Sequence, residues 1–432
     1  MNAQNGNKSV GGILATNRRG FLSMAGFGAL ATMLPTPAFS FLAQEYPRLK
    51  SEIEGYIAAK KAAGAIAAIG HANKAPEYVS AGTLAVGNAT PVDPDTLFRI
   101  YSMTKPIAGM AAMILIGEGK MKLDQPIADF IPEFKEMRVL TNPETSMDSV
   151  PAKTQITVRH LLTHTAGLGY SIITKGPLLT AYLENGITPG QISRMPIPGA
   201  PPSAPTPDLK TFAERLAKLP LIAEPGTKWS YSISLDLLGR VIEVASGISF
   251  DAFLQTRMFD PLKMSSTYFQ VPQSEVKRFT DNYFVFGGAL LPIDPAASSV
   301  YLDKPAFAFG GAGLVCSTKD YDRFLSMLLN GGNLDGAEIM SPETVALGMS
   351  NLLPEGADLS GTWVAGQHFG AGGRVGVGAA AGSFGWGGAA GTIAFVDTRR
   401  KVRGTGMIQY MPSNAHGFHD DFAKWVAADL GA

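Results

Sequence analysis

The chain has 432 residues, of which 46% are hydrophobic and 17% charged, an ordinary globular composition with enough apolar material for a sizeable core. Lys+Arg and Asp+Glu balance at 36 each; with no basic stripe or acidic tail, the charge argues against nucleic acid and leaves a small molecule as the expected partner. The one cysteine, Cys316, rules out an internal disulfide and a thiolate zinc site, and without CxxC, HExxH or EF-hand patterns neither a metal nor a cofactor is expected.

The N-terminus carries Asn17-Arg18-Arg19-Gly20-Phe21-Leu22, an apolar run to Leu34, then Pro35, Pro37 and Ala38-Phe39-Ser40. An arginine pair, a short apolar stretch and small residues near a cleavage point describe an export signal. Arg-Arg-x-Phe-Leu resembles the twin-arginine type. Residues 1–40 are therefore expected to be removed after Ser40, leaving a periplasmic protein. The alternative is an amphipathic N-terminal helix on a cytoplasmic one. The apolar run, about fourteen residues, is short of the ~20 that span a bilayer, and no later segment is long and apolar enough to do so.

A helix is predicted over 46–63 from the spacing of Leu49, Ile53 and Ile57, with Lys60 and Lys61 in its last turns and Gly64 after it. Strands are predicted over 65–71 and 77–83, around a turn at Asn73 and Lys74. The stretch 187–207, rich in proline, reads as a long loop, placed by expectation over a site's mouth. At the other end, 391–396 and 402–410 form a hairpin signature around Asp397-Thr398-Arg399-Arg400-Lys401, and 420–430 a last helix. Both termini thus supply strands and a helix each, with a mainly helical middle. That order predicts a two-part α+β architecture with an α/β part at about 45–100 and 305–432 and a helical part at about 101–304.

The chemistry begins at Ser102-Met103-Thr104-Lys105-Pro106, ahead of an apolar, helix-friendly run from Ile107. Pro106 fits a first helical turn. Ser102 at the helix start and Lys105 one turn on share a face, which sets an amine beside a hydroxyl. A serine attacks only when a base takes its proton, and the positive helix end favours negative charge there. Taken alone, the pattern also fits an N-cap serine with an exposed lysine. Tyr231-Ser232 opens another helix-like segment; a tyrosine near a lysine can act as base and then as acid. The run Phe384-Gly385-Trp386-Gly387-Gly388-Ala389-Ala390-Gly391-Thr392 leads into a strand. Its glycines suggest close approach of another group to the backbone, where an N–H could face an oxyanion.

Ser-x-x-Lys, then Tyr-Ser, then a glycine-rich strand edge resembles the motif order of serine β-lactamases and penicillin-binding proteins. Several accessory stretches are similar to that superfamily too: residues 156–168, Glu224-Pro225-Gly226, residues 260–264, and residues 310–317 leading into Asp320-Tyr321. Within it, Ser-Met-Thr-Lys-Pro, Tyr-Ser-x-x-x-Asp-x-Leu-Gly and Trp-Gly-Gly resemble the family VIII carboxylesterases, which are like class C β-lactamases. The resemblance implies an antiparallel sheet flanked by N- and C-terminal helices, a helical subdomain, and a site in the cleft between them. It implies a nucleophile at Ser102, a base at Lys105, an acid/base at Tyr231, and an oxyanion hole from the N–H groups of Ser102 and Ala389. Two departures stand out. Ile233 occupies the place of the Asn in Tyr-x-Asn, and Trp386-Gly387-Gly388 replaces Lys-Thr-Gly. A substrate pocket of Ile233, Trp386, Gly387 and Gly388, lacking that lysine, should favour neutral carboxylic esters of short to medium acyl chain over anionic β-lactams. β-Lactam or D-amino-acid peptide cleavage, and acyl transfer from the same acyl-enzyme, are the alternatives.

Other residues are expected to be bystanders. No Gly-x-Ser-x-Gly elbow occurs. His419-Asp420 are adjacent and do not face each other on a helix. His164 is expected to bond the backbone, Lys304 and Lys319 to be solvated, and Cys316 to be a small buried side chain.

Overall fold

The computed structural model describes residues 46–195 and 204–431. The proposed export segment lies outside them. Helix α1 (Pro47–Ala58) is shorter than its predicted 46–63. The chain turns at Lys60, whose φ is +56°, and enters the sheet at Gly64, where a Cβ would stand 2.4 Å from the Thr83 carbonyl oxygen. Strands β1 (Gly64–His71) and β2 (Glu77–Gly82) follow. The long central helix is α2 (Thr104–Gly117), and α3 (Ser234–Ser246) packs against it. Helix α4 (Thr318–Leu329) precedes the short strands β3 (His368–Phe369) and β4 (Arg374–Val375). Then come β5 (Ser383–Gly387), β6 (Ile393–Asp397), β7 (Val402–Ile408) and α5 (Phe418–Asp429).

The seven strands make one antiparallel sheet in the order β3-β4-β5-β6-β7-β1-β2. The two ends of the chain meet where β7 pairs with β1, Ala65 opposite Ile408 and Ile69 opposite Gly404. Side chains alternate across a strand. Ala65, Ala67 and Ile69 accordingly face a core with Leu49 and Ile53 of α1 and Phe418 and Phe422 of α5, while Ile66 faces the main core. Arg48 and Leu49 donate their amides to Asp429 at 2.9 Å each, fastening the terminal helices to each other. This is the mixed α and β arrangement, an antiparallel sheet flanked by the terminal helices, that the motifs implied.

The middle is less purely helical than predicted. Leu97–Arg99 and Thr267–Tyr268 both pair with Val315–Ser317 in a small sheet, and Asn282–Phe286 pairs with Ala289–Asp294 as a hairpin. The first sheet matters for the site, since Leu97–Arg99 delivers the chain to Ser102. The described part of the proline-rich stretch has no regular structure. Within it, Ile192 packs against the cluster holding Tyr101 and Ala389.

Candidate active site

Helix α2 is apolar almost throughout, and residues 104–115 are all buried. A helix apolar all round belongs in a core, so its first turn lies deep in the molecule, and Lys105 is fully buried. Ser102 occupies a 3-10 turn, Tyr101–Met103, that runs into α2. Tyr101 before it has φ +41°, a conformation costly for a bulky side chain and held only where surroundings fix it. Here its hydroxyl accepts a hydrogen bond from Asn282 Nδ2 at 3.0 Å.

Lys105 Nζ donates to Ser102 Oγ at 3.0 Å and to the carbonyl oxygen of Gly311 at 2.7 Å. Tyr231 Oη lies 2.8 Å from the same Oγ. Tyr231 stands just before α3, held there by its neighbours: the Ser232 amide donates to His164 Nδ1 at 3.2 Å, and the Ser230 amide to the His164 carbonyl. Burial, then the nearby Lys105 charge, pushes the His164 imidazole well below its ordinary 6.5. His164 is a neutral support of the backbone at Tyr231.

Trp386, on β5, donates Nε1–H to Tyr231 Oη at 3.1 Å. Its indole also packs edge-on against Phe369. The Lys105 ammonium sits 4.6 Å from the centre of the Tyr231 ring and 5.5 Å from that of Tyr170. Both are within the range at which ring faces attract cations. Lys105, His164, Tyr170 and Trp386 thus converge on Ser102 and Tyr231 inside a largely aromatic wall.

Gly387 ends β5, and residues 388–392 turn the chain into β6; Gly388 N donates to Thr392 O at 2.7 Å. A Cβ at Gly388 would stand 2.3 Å from the carbonyl oxygen of Ile100. This glycine is needed because the turn lies directly on the residues that lead into Ser102. Ala389 follows, half-buried. Its amide and that of Ser102 give no hydrogen bond to another group among the described residues.

Of the expected pocket residues, Trp386, Gly387 and Gly388 lie beside Ser102 and Tyr231. Ile233 is wholly buried in the main core at the start of α3, so it has no surface to offer a substrate. His419 lies against Gly387 and is 3.5 Å from Asp420, with no hydrogen bond to Ser102. Lys319 pairs with Asp95 at the surface and Lys304 is exposed. Cys316 is fully buried, its thiol pushed well above its usual range by burial.

Three contributors had no role assigned from the sequence. Gly311, within the glycine-rich stretch before Cys316, supplies the carbonyl that holds Lys105. Asp236, in α3, accepts the Gly311 amide at 2.9 Å and is fully buried. Trp363 lies against Tyr231 with ring centres 5.2 Å apart and planes inclined at 60°. A lone aromatic in the stretch Gly361-Thr362-Trp363-Val364-Ala365-Gly366 was the only local signal for the last.

The β-lactamase family model matches residues 49–429. The chain belongs to the β-lactamase family. The resemblance read from the ordered motifs is thereby borne out. Among curated members, the chain is similar to the acyltransferase calJ of Penicillium decumbens, 34% identical over 60% of this chain and 57% of the relative. It is also similar to the esterase EstB of Burkholderia gladioli, 32% identical over 59% of this chain and 61% of the relative. The matched part spans less than two thirds of these relatives' length. Among solved β-lactamase-like structures, EstCE1, titled a hydrolase with promiscuous acyltransferase activity, superposes with a TM-score of 0.72. That match covers 89% of this chain and 98% of EstCE1 at 23% identity, a likeness of fold.

Proposed function

We propose that this member of the β-lactamase family is a serine carboxylesterase acting through an acyl-enzyme on Ser102. The observation that carries the reading is the pair of contacts on one oxygen, Lys105 Nζ at 3.0 Å and Tyr231 Oη at 2.8 Å from Ser102 Oγ. Both are within the reach needed for proton transfer. Oγ attacks the ester carbonyl carbon while its proton passes to the Lys105–Tyr231 pair, which accepts it with one member deprotonated, as the Lys105 amine or the Tyr231 phenolate. The amides of Ser102 and Ala389 hold the oxyanion, each such donor contributing on the order of 10²–10³ in rate. The carbon–oxygen bond to the alcohol breaks, and Tyr231 delivers the proton to the departing oxygen. Water then gives a proton to the same pair and adds to the acyl carbon; the bond from that carbon to Ser102 Oγ breaks, the carboxylic acid leaves, and the pair returns the proton to Oγ. Trp386 Nε1–H steadies the Tyr231 oxygen whenever negative charge gathers there.

The named esterase and acyltransferase relatives support acyl transfer from serine as the common step. Trp386 at the place of a substrate-binding lysine supports neutral esters of short to medium chain over β-lactams or D-amino-acid peptides. An alcohol in place of water would make the same acyl-enzyme a transferase, and the acyltransferase relative favours testing that. The Arg18-Arg19 segment supports export to the periplasm.

The test is hydrolysis of p-nitrophenyl butyrate by the protein and by Ser102→Ala. We expect the variant to lose on the order of 10⁴-fold or more in kcat/KM, as when a nucleophile is deleted. Equal rates would overturn the reading. Butyryl transfer to an added alcohol, measured as product ester, separates transferase from hydrolase.

A further inference from the structure

Most of the aromatic wall around Tyr231 is buried, and Trp363 is its most exposed member. Tyr170 and Trp229 are each 2% exposed and His164 is 0% exposed, yet Trp363 leaves 63% of its surface to solvent. Its indole stands 5.2 Å from the Tyr231 ring and 6.4 Å from Trp229. What sets this indole apart from other exposed apolar side chains is its place against Tyr231, where its apolar area is available to a bound group.

The loop that carries it is anchored on both sides. The Trp229 amide donates to the Asp358 carbonyl at 2.9 Å, and the Asp358 amide to Thr227 at 2.8 Å. Thr362 Oγ1 bonds the Leu359 carbonyl at 2.6 Å. Val364, next to Trp363, is 1% exposed in the main core. The indole is therefore presented outward from a fixed backbone.

The direction of the reaction decides what it meets. Tyr231 gives its proton to the departing alcohol oxygen, so in a bound ester the alcohol portion leaves Ser102 on the Tyr231 side. The acyl chain leaves on the other. Two indoles adjoin Tyr231: Trp386 is hydrogen-bonded to its oxygen, and Trp363 lies against its ring, the planes inclined at 60°. We propose that Trp363, with Trp386, forms the alcohol subsite of the enzyme, and that the subsite takes a flat, apolar alcohol such as an aryl or fused-ring alcohol. This rests on the esterase reading above. An acceptor alcohol in acyl transfer would occupy the same place, since transfer is the reverse of acylation.

The test compares two acetate esters that share one acetyl-enzyme, 2-naphthyl acetate and ethyl acetate. In Trp363→Ala the ratio of their kcat/KM values, naphthyl over ethyl, is expected to fall about tenfold relative to the parent protein, with Trp363→Phe in between. Product inhibition by 2-naphthol should weaken by a similar factor. An unchanged ratio would overturn the proposal, as would an equal loss on both esters, which marks a structural role. Loss on ethyl 2-naphthoate with the naphthyl acetate ratio kept would place Trp363 on the acyl side and also overturn it. Should the parent protein turn over neither acetate, the esterase reading fails. Quenching of tryptophan fluorescence by 2-naphthol, in the parent and not in Trp363→Ala, still decides the subsite.

Discussion

Lys105 is held in place by a group that touches no substrate. The Asp236 carboxylate accepts the Gly311 amide through Oδ1, and the carbonyl oxygen of Gly311 accepts the Lys105 ammonium. Asp236 Oδ2 is buried without a hydrogen-bond partner, an expensive position for a charged oxygen. Burial pushes the Asp236 carboxyl up from 3.8 to about 6, against the opposing pull of Lys105. Between those values the unfolded chain releases the proton and the folded chain keeps it. Stability therefore falls as pH rises through that window, and the full benefit is present only below it. Asp236→Asn removes the titration and keeps an acceptor for the Gly311 amide. Relative to the parent, the variant should gain stability between pH 4 and pH 7, by about 2 kcal/mol for a shift of this size. Urea unfolding at the two pH values measures it. A difference that does not change with pH would mean the carboxyl titrates alike in both states.

At the scale of elements, the turn between β5 and β6 positions the Ala389 amide, one of the two proposed oxyanion donors. The Gly388 Cα faces the Ile100 carbonyl so closely that Gly388→Ala must push the turn away from Ser102. We expect kcat/KM for p-nitrophenyl butyrate to fall at least about tenfold, the scale of a misplaced oxyanion donor, while circular dichroism stays that of the parent. A variant of parental activity would show that Ala389 is not one of the donors. What was legible beforehand follows from the same distinction between local and distant contacts. Ser102 and Lys105 are one helical turn apart, so their meeting is written in the spacing, and β1, β2, β6 and β7 carry apolar runs between clear turns. The strands at residues 97–99, 267–268 and 315–317 are two or three residues long and exist only because distant segments pair, Thr267 with Cys316 and Leu97 with Ser317. No periodicity can announce them. Asp236, Gly311 and Trp363 join the site in the same way, through partners 75 to 206 residues away in the first two cases. Ile233 shows the converse: a motif position placed it in the pocket, and packing placed it in the core.

For the molecule as a whole, two buried ion pairs join parts that are remote in sequence. Arg99, three residues before Ser102, binds Asp294 of the 289–294 strand through Nε at 2.7 Å. Arg403 in β7 binds Asp322 in α4 at 2.8 and 3.1 Å and also donates to the carbonyls of Ala72 and Lys74. It lies so close to β1 that a Cβ at Gly70 would be 2.2 Å from its guanidinium carbon. Burial raises the Asp322 carboxyl even against Arg403, so desolvation consumes much of the attraction, and the pair's net stabilisation is small. Its removal by halves is another matter. Asp322→Ala leaves a guanidinium sealed between sheet and helix with two carbonyls and no counter-charge, and should cost about 3–5 kcal/mol. Replacing both partners, Asp322→Leu with Arg403→Met, removes the stranded charge and should recover most of that loss. Urea midpoints of the three proteins decide between these. A double variant no more stable than Asp322→Ala would mean that Arg403 contributes chiefly through the Ala72 and Lys74 carbonyls, and that the sheet's closing strands depend on those bonds more than on the ion pair.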